Sequence, residues 1–386
     1  MLDIAGELRT WCAEQREFAL ATVVAVSGSA PRGPGASLAV AADGTALGSL
    51  SGGCVESAAH ELCLEAIATG EGGVHRFGYS DDDAFAVGLT CGGVLDVLIT
   101  PVRGHDPVRP VLRAVLDHAE AGRRTAFARV VTGPPRQLGR ALAVRTDGSY
   151  EGHLGGGGPD LDRAAAERVR DLLLAGRTGT VELGTAGGLC GQPLTLLVES
   201  AAEPPRLIVY GAIDFAAALA RLGAFLGHRV TVCDARAVFA TPARFPGADE
   251  VVVEWPHRHL AAEWEAGRLD ARTAVCVLTH DAKFDVPLLS LALRLPLAYV
   301  GAMGSRRTHT ERAARLREEG LPEAALARLR SPIGLDLGGG TPEETALAIA
   351  AEFTAVRHGA SVTPLADRTG PVHRWVLPVG GPAGRG

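Results

Sequence analysis

The stretch Leu207-Ile-Val-Tyr-Gly-Ala-Ile-Asp-Phe-Ala216 sets the architecture of the C-terminal half of the chain. Four apolar residues in a row are typical of a buried strand, the glycine permits a tight turn, and the following residues predict a helix over 215–226. A strand that passes through a glycine turn directly into a helix is the first half of a strand–helix–strand unit. We therefore expect a parallel sheet with helices on its faces.

The remainder of the C-terminal half repeats this alternation of strand and helix. Helices are predicted near 308–320 and 341–358, and further apolar strand segments at 230–233, 251–253, 273–278 and 298–300. These elements predict a Rossmann-like, doubly wound parallel-sheet domain over 206–358. The residues 360–386 are rich in glycine and proline, and we expect them to form a mobile tail.

The N-terminal half, residues 1–200, contains one pattern twice. The run Gly35-Ala-Ser-Leu-Ala-Val-Ala-Ala-Asp-Gly44 returns as Gly139-Arg-Ala-Leu-Ala-Val-Arg-Thr-Asp-Gly148. Strands and a following helix surround both runs in the same order, which places the copies at about 20–102 and 125–200. The predicted fold class is therefore α/β, an internally duplicated N-terminal α+β domain followed by the Rossmann-like domain. An amphipathic helix is expected over 2–20.

The charge balance of the 386 residues argues against some classes of function. Lys and Arg number 38 against 44 Asp and Glu, a net charge of −6, which disfavours nucleic-acid binding and leaves only weak association with a membrane surface open. The first residues do not read as a signal peptide, and no apolar run is long enough to cross a bilayer. Seven cysteines without a CxxC pair favour a reducing compartment, so we expect the protein in the cytoplasm.

The first candidate site is the run Gly52-Gly53-Cys54, which precedes a predicted helix. Successive glycine amides can form an anion-binding nest, and the positive end of the helix dipole favours the thiolate form of a cysteine. A thiolate can attack, carry sulfur or bind a soft metal, although a small buried cysteine beside a tight turn is the alternative. In the second copy Gly158 and Asp160 replace Cys54 and Glu56, whereas Cys91-Gly92 is kept as Cys190-Gly191.

Two arginine-bearing loops are further candidates for binding an oxyanion. Arg32 lies in the Gly/Pro-rich run at 31–35, and a guanidinium there can grip a phosphate with two hydrogen bonds. Gly304, Ser305, Arg306 and Arg307 follow a predicted strand, where ligands of parallel sheets bind. His280 also ends a strand. A solvated loop arginine is the alternative interpretation of Arg32, and helix capping with solvated arginines is the alternative interpretation of the second loop.

The turn after the first C-terminal strand resembles a dinucleotide-binding fingerprint. Gly211 begins it, and Asp234 ends the next strand where a ribose-binding acid would lie. Ile213 replaces the second glycine and would crowd a pyrophosphate, and Asp214 adds negative charge where a phosphate should bind. The fold is therefore indicated, but the pattern disfavours NAD(P).

Together these residues resemble the XdhC/CoxI family. The N-terminal match lies in Ala21-Thr-Val-Val-Ala-Val-Ser-Gly-Ser-Ala-Pro-Arg32 and Gly48-Ser-Leu-Ser-Gly-Gly-Cys-Val-Glu56, and the C-terminal match in Val300-Gly-Ala-Met-Gly-Ser-Arg-Arg307 and Ser331-Pro-Ile-Gly-Leu-Asp-Leu337. The resemblance extends over roughly 5–358. Many relatives carry Gly-Ala-Gly where this chain has Gly211-Ala-Ile213, which puts a dinucleotide role in doubt.

The resemblance implies an accessory protein of xanthine dehydrogenase. Such a chaperone binds the molybdenum cofactor, molybdopterin with its metal, as cargo, holds it while a cysteine desulfurase helps to add the sulfido ligand, and delivers it to a xanthine dehydrogenase-type molybdoenzyme. Cys54 and Cys91 match family cysteines, and Cys54 would contact the metal or its sulfur. Arg32, Arg306 and Arg307 would hold the pterin phosphate. The other candidate cofactor contacts are Gly52, Gly53, Glu56, Gly92, Gly211, Asp234, His280, Gly304 and Ser305.

Two other functions stay open at this stage. An NAD(P)-dependent oxidoreductase would use the Rossmann-like domain, and a non-catalytic adaptor would only bridge the desulfurase and the dehydrogenase. The sequence favours a cofactor-binding chaperone over a turnover enzyme without deciding whether it has an activity of its own. A homodimer is expected because a cleft shared between two copies would explain the split N-terminal domain.

Overall fold

The computed structural model describes residues 1–78, 93–183, 193–369 and 372. Cys91, Gly92 and most of the tail at 360–386 lie outside the described residues. The chain divides into two compact units, Met1–Glu203 and Pro204–Arg368. None of the described helices is both long and apolar enough to span a membrane.

The first unit consists of two antiparallel sheets and four α-helices within the described residues. The helices are α1 (Ala5–Ala13), α2 (Glu56–Thr69), α3 (Val108–Glu120) and α4 (Gly158–Leu174). The strands of the first sheet are β1 (Phe18–Ser27), β2 (Ser37–Ala41), β3 (Ala46–Gly48), β4 (Gly73–Phe77) and β5 (Val94–Val102). The strands of the second are β6 (Thr125–Thr132), β7 (Ala141–Arg145), β8 (Tyr150–His153), β9 (Gly179–Leu183) and β10 (Leu194–Ala201).

The two sheets have the same strand order. The first runs β3-β2-β1-β5-β4 and the second β8-β7-β6-β10-β9. Gly48 and Gly152 occupy equivalent places, because a Cβ on either would collide with the carbonyl oxygen of the first residue of the neighbouring strand, Ser37 or Ala141. Both glycines also have positive φ angles, +81° and +98°. The alignment of the two copies read from the sequence therefore holds in three dimensions at this loop.

The sheets bury both of their faces inside the first unit. Helix α2 covers one face of the first sheet through a cluster that includes Leu50, Val55 and Leu95. The other faces meet, since Leu98 of the first sheet and Leu197 of the second share a cluster and are 1% and 0% exposed. Burial of these apolar side chains stabilises the two sheets, each of which has five strands among the residues that the structure describes.

The helix predicted over 2–20 is shorter in the structure. A 3-10 turn over Leu2–Ile4 leads into α1, which ends at Ala13, and Phe18 already pairs with Ala41 in the first sheet. Gln15 adopts a left-handed backbone, with φ of +58°, and so breaks the helix. The apolar residues at 18 and 20 fit a helical period, but their packing in β1 decides their conformation.

The second unit is a parallel sheet between helices. Its strands are β11 (Arg206–Tyr210), β12 (Arg229–Asp234), β13 (Glu250–Val253), β14 (Ala274–Val277), β15 (Tyr299–Ala302) and β16 (Leu329–Arg330). Its helices are α5 (Asp214–Phe225), α6 (Pro256–Glu265), α7 (Ala282–Ala292), α8 (Arg306–Glu318), α9 (Glu323–Leu326) and α10 (Pro342–His358).

The strand order of this sheet is β13-β12-β11-β14-β15-β16, and its ladders are parallel. This is the order of the dinucleotide-binding Rossmann fold, with the switch point between β11 and β14. Leu207 and Val209 pack on one face, while Ile208 and Tyr210 pack on the other, as the two-residue period of a strand requires. The predicted fold class is confirmed in both halves.

Candidate functional site

The loop at 49–55 carries Cys54 to the start of α2. Gly52 and Gly53 adopt φ angles of +83° and +127°. Residues other than glycine rarely adopt φ angles in this range. No atom lies within 4 Å of where a Cβ on either residue would stand. Glycine is therefore needed here for the backbone conformation and not for lack of space.

The carboxylate of Glu56 folds back over this loop and binds its amides. One oxygen, Oε1, accepts hydrogen bonds from the amides of Leu50 (3.0 Å), Ser51 (2.9 Å) and Gly52 (3.0 Å) and from the Ser49 hydroxyl (2.7 Å). The other, Oε2, accepts from the Ser51 hydroxyl (2.9 Å) and from the amides of Gly53 (2.9 Å) and Val55 (3.1 Å). The predicted nest of amides does form, and the anion inside it is Glu56. We call Glu56 with Ser49 and Ser51 the carboxylate clamp.

The clamp keeps Glu56 ionised. Partial burial on its own would raise the pKa of this carboxyl group. The hydrogen bonds from the Ser49 hydroxyl and from the amide and hydroxyl of Ser51 outweigh burial and lower the pKa from 4.5 to about 2. The loop therefore stays closed around a negative charge across the physiological pH range.

Cys54 is half-buried at the edge of this loop. Its side chain packs against the apolar cluster that also contains Ala30 of the loop after β1. Its amide donates to the Ser51 hydroxyl oxygen at 3.0 Å. The other described cysteines, Cys12, Cys63, Cys233 and Cys276, are buried. Burial raises the pKa of the Cys63 thiol to about 12. Cys54 is therefore the described cysteine best placed for contact with a ligand.

The second copy lacks the polar side chains and the thiol of this arrangement. At the equivalent positions His153 and Gly155 replace Ser49 and Ser51, and Gly158 replaces Cys54. Asp160, in the place of Glu56, is exposed and pairs with Arg163 at 2.7 Å. A different carboxylate, Asp162, accepts a single hydrogen bond from the amide of Leu154 at 2.9 Å. The site is thus confined to one copy of a shared framework.

Arg32 borders a cavity in the same unit. The cavity has a volume of about 390 Å³ and is lined in part by Leu2, Pro31, Thr178 and Glu199. The Arg32 guanidinium, 36% exposed, donates to Asp3 at 2.6 Å. Such an exposed ion pair contributes little stability, so an incoming phosphate could replace Asp3 without a large cost.

Gly93 is the first described residue after Cys91 and Gly92, and it lies against the loop after β1. Gly93, the next residue, touches this loop so closely that a Cβ would collide with the carbonyl oxygen of Ser29. Ser27 in turn pairs with Val94 of β5. The described residue nearest to Cys91 in sequence therefore abuts the loop that bears Arg32.

In the second unit Asp234 lies at the end of β12, as predicted, but its carboxylate already accepts hydrogen bonds from within the chain. Its carboxylate accepts from the amide of Ala212 at 2.7 Å and from the Arg236 guanidinium at 2.8 and 2.9 Å. Burial opposes ionisation, yet the bonds from Arg236 and Ala212 outweigh it and lower the pKa of Asp234. Asp234 thus braces the glycine turn, and a ribose would have to displace Arg236.

The glycine turn itself is built for close packing. Gly211 has a φ of +116°, and a Cβ there would lie 3.1 Å from the backbone of Leu278 and Thr279. The half-buried Ile213 packs against the core cluster beside α5. The exposed Asp214 begins α5 and faces Arg244 at 3.5 Å.

The loop after β15 combines a helix cap with exposed arginines. The Ser305 hydroxyl accepts from the Thr308 amide at 3.1 Å and so caps α8. Arg306 is exposed, and Arg307 pairs with Glu311 at 3.2 Å. Gly304 has a φ of +149°, with Thr308 and Arg312 close to where its Cβ would stand. Exposed arginine side chains therefore lie at the carboxyl edge of the sheet.

His280 lies in the neighbouring loop of the same unit. It is exposed and follows β14, after the buried Thr279. The structure thus places it at the same edge of the sheet as Ser305 and Arg306, because the carboxyl ends of parallel strands share one edge.

The sequence analysis missed the role of Ser49 and Ser51. Their hydroxyls bridge loop amides to Glu56, at 2.9 Å from the Gly52 amide to Ser49 and 3.0 Å from the Cys54 amide to Ser51. The signal was present in the run Ser49-Leu-Ser-Gly-Gly-Cys-Val-Glu56, because serines near a helix start tend to bond backbone amides.

The architecture is that of a duplicated antiparallel domain, with a thiol on a clamped loop, followed by a Rossmann unit. The match to known families makes the class specific. Residues 11–78 and 118–184 match the XdhC and CoxI family, and residues 207–353 match the XdhC Rossmann domain. The chain belongs to the XdhC and CoxI family.

Several known proteins are similar to this chain. It is 28% identical to a Bacillus subtilis protein named as a probable xanthine dehydrogenase subunit, over 90% of this chain and 96% of that one. It is 27% identical to the molybdenum cofactor insertion chaperone PaoD of Escherichia coli, over 88% and 83%. The match to the uncharacterised protein YqeB of Escherichia coli, 31% identical, spans 58% of this chain and only 42% of YqeB.

A solved structure shares the whole architecture. A protein described as a xanthine dehydrogenase from Bacillus halodurans superposes with a TM-score of 0.64 at 25% identity. The match covers 94% of this chain and 98% of the other. The order of both units along the chain is thus shared with that protein.

Proposed function

We propose that this protein is an accessory chaperone that binds the molybdenum cofactor as cargo, supports its sulfuration and delivers it to a xanthine dehydrogenase-type molybdenum hydroxylase. The similarity to an insertion chaperone over most of both chains supports the handling of this cofactor. The observation that carries the proposal within the chain is the half-buried Cys54 on its clamped loop.

The thiol of Cys54 suits the metal end of such a cargo. Sulfur is a soft ligand, and molybdenum with a sulfido group is a soft centre. Its half-buried position beside an apolar cluster limits access by water. Cys91 is the second thiol of the proposal, and Gly93, two residues later in the sequence, lies close to the carbonyl oxygen of Ser29.

The arginines suit the phosphate end of the cargo. Arg32 stands at the rim of a cavity in the first unit, with an exchangeable partner in Asp3. Arg306 and Arg307 lie exposed at the carboxyl edge of the Rossmann sheet. A guanidinium binds phosphate with paired, charge-assisted hydrogen bonds. Each of these residues is a separate proposal, and single substitutions to Gln distinguish them.

The remaining parts of the proposal concern the partner proteins, the oligomeric state and the cellular compartment. A cysteine desulfurase would supply the sulfur, the client would be a xanthine dehydrogenase-type enzyme, and the chaperone would act as a homodimer in the cytoplasm. These follow from the family resemblance. Analytical ultracentrifugation tests the dimer, and co-purification with each partner tests the contacts.

The deciding experiment measures molybdenum and molybdopterin in the purified protein. Wild type and Cys54→Ser are expressed without air in a cofactor-producing host, with a cofactor-deficient host as blank. We expect near-stoichiometric pterin in wild type and loss of molybdenum in Cys54→Ser, because oxygen is a poorer ligand for a soft centre. Cys63→Ala is the matched control, since Cys63 is buried in α2 and should keep the metal. Absence of pterin from every preparation would contradict the proposal.

One observation favours an NAD(P)-dependent function as the alternative. The strand order places Gly211 at the switch point where dinucleotides bind in such sheets. Calorimetric titration with NAD(H) and NADP(H) tests it, and micromolar affinity would support it. A pure adaptor is the third candidate, and it predicts that Cys54→Ala leaves dehydrogenase activity in the cell intact.

A further inference from the structure

The carboxylate clamp at 49–56 binds the backbone on both sides of Cys54. We infer that Glu56 is a positioning residue for Cys54 and not a ligand of the cargo. This inference rests on the proposed function for the role of Cys54, but its structural part can be tested without any cofactor.

The first argument is that Glu56 has no binding capacity left. A carboxylate offers about four lone-pair directions. Here Oε1 accepts four hydrogen bonds and Oε2 accepts three, all at 2.7–3.1 Å. A cargo atom could bind Glu56 only after several of these bonds had broken.

The second argument is that the clamp surrounds Cys54 on both sides. The amides before and after it, those of Gly53 and Val55, both donate to Oε2 of Glu56. The amide of Cys54 itself donates to the Ser51 hydroxyl, which in turn donates to the same oxygen. The backbone of Cys54 is therefore held at three consecutive amides by one carboxylate oxygen and one serine.

The third argument comes from the second copy, which is an internal control. It has the same strand order and the same positive-φ glycine before its loop, Gly152, and a helix begins at Gly158. It reaches this fold with Gly158 in the place of Cys54 and with a single carboxylate contact, in which the Leu154 amide donates to Asp162. The full clamp is thus not required to build the domain, and it accompanies the thiol.

A consequence concerns the other end of the cargo. The amides of Gly52 and Gly53 would otherwise be an obvious phosphate site at a helix start. Glu56 occupies both, so a phosphate cannot bind there while the clamp is closed. The loop therefore positions the thiol, and the phosphate of the cargo has to bind elsewhere in the protein.

The test replaces Glu56 by Gln in the full-length protein. The amide oxygen of Gln can keep the bonds made by Oε1, but its NH2 group faces the amides of Gly53 and Val55, which are also donors. The substitution therefore releases the side of the clamp that holds Cys54. Hydrogen exchange by mass spectrometry over 49–56 and the rate of Cys54 alkylation by iodoacetamide are measured beside wild type. Asp162→Asn in the second copy is the matched control.

The expected result is faster exchange in this segment, by roughly ten- to a hundredfold, as the loss of charge-assisted bonds implies. Alkylation of Cys54 should also accelerate, because the loop that holds the thiol opens. Asp162→Asn should change neither rate at 49–56. Inorganic phosphate should slow exchange there in Glu56→Gln and leave wild type unaffected. If Glu56→Gln does not fold, Ser51→Ala, which removes the link between Cys54 and Glu56, provides the same two readouts.

Unchanged exchange and alkylation in folded Glu56→Gln or Ser51→Ala would overturn the inference, and so would protection of the wild-type loop by phosphate. Molybdenum content is a separate measurement. If Cys54→Ser keeps its metal while Glu56→Gln loosens the loop, the proposed function fails and the positioning role stands. If Cys54→Ser loses metal but Glu56→Gln leaves the loop and thiol unchanged, the positioning role fails alone.

Discussion

At the scale of single residues, Arg312 and Asp285 form a buried ion pair near the loop that contains Arg306 and Arg307. Their side chains are 3% and 4% exposed and meet at 2.7 Å. The same Arg312 nitrogen donates to the carbonyl oxygen of Met303 at 2.9 Å. Arg312 thereby connects the core of the second unit to the start of the candidate loop.

We expect Arg312→Met to lower the free energy of unfolding by about 3–5 kcal/mol, because it leaves the Asp285 charge buried without its partner. Urea denaturation followed by tryptophan fluorescence measures the change. Arg307→Met is the control, since Arg307 is 88% exposed and its pair with Glu311 should contribute little. A loss as small as that of the control would show that Asp285 becomes neutral or finds water.

Among the elements, helix α10 shows local sequence signals that specify a structure without help. The order Thr341-Pro342-Glu343-Glu344 predicts a capping box with proline in the first turn. The structure confirms it, because the Thr341 hydroxyl accepts from the Glu344 amide at 3.2 Å and the Glu344 carboxylate accepts from the Thr341 amide at 3.0 Å.

Thr341→Ala should lower the free energy of unfolding by about 1 kcal/mol, since one capping acceptor is lost. Thermal and urea unfolding measure this, and Thr341→Ser, which keeps the hydroxyl, should stay close to wild type. Equal losses in both variants would mean that the methyl group, not the cap, matters at this position.

The N-terminal helix shows that local signals do not always specify the end of a helix, because its periodic signal extended to residue 20 while α1 ends at Ala13.

Across the molecule as a whole, each unit contains a carboxylate that stabilises the fold only when ionised. Glu56 is that group in the first unit. In the second, burial favours protonation of Glu263, but hydrogen bonds from Arg268 and Arg206 outweigh it and lower the pKa to about 2. Both groups have a pKa below that of an unfolded chain, about 4.5. Their contribution is therefore complete above pH 4.5 and is lost as the pH falls towards 2.

We expect the free energy of unfolding to decrease steadily between pH 4.5 and 2, and Glu263→Gln to flatten this dependence. Urea titrations at a series of pH values measure the slope. Glu265→Gln is the control, because Glu265 lies at the exposed end of α6. A wild-type slope retained in Glu263→Gln would assign the acid sensitivity to other groups.

Local patterns in the chain were enough to establish the classes of structure and the main candidate residues. Period-two and strand–glycine–helix patterns are local, so the parallel sheet, the duplication around Gly35 and Gly139 and the cap at Thr341 could be read directly. The position of Cys54 at a helix start was equally local. These features depend on contacts between residues that are near one another along the chain.

What the candidate side chains bind became clear only in the folded chain. Glu56 and Asp234 both looked like ligands of a cofactor, yet folding turns each back onto backbone amides, at the loop of Cys54 and at Ala212. A carboxylate is stabilised by hydrogen bonds to all donors that lie close enough to it. Which donors are close depends on the backbone dihedral angles of the loop, and residue type alone does not determine these angles. The sequence shows which side chains have the chemistry to bind a cofactor, and the tertiary structure determines which of them are already bound within the chain.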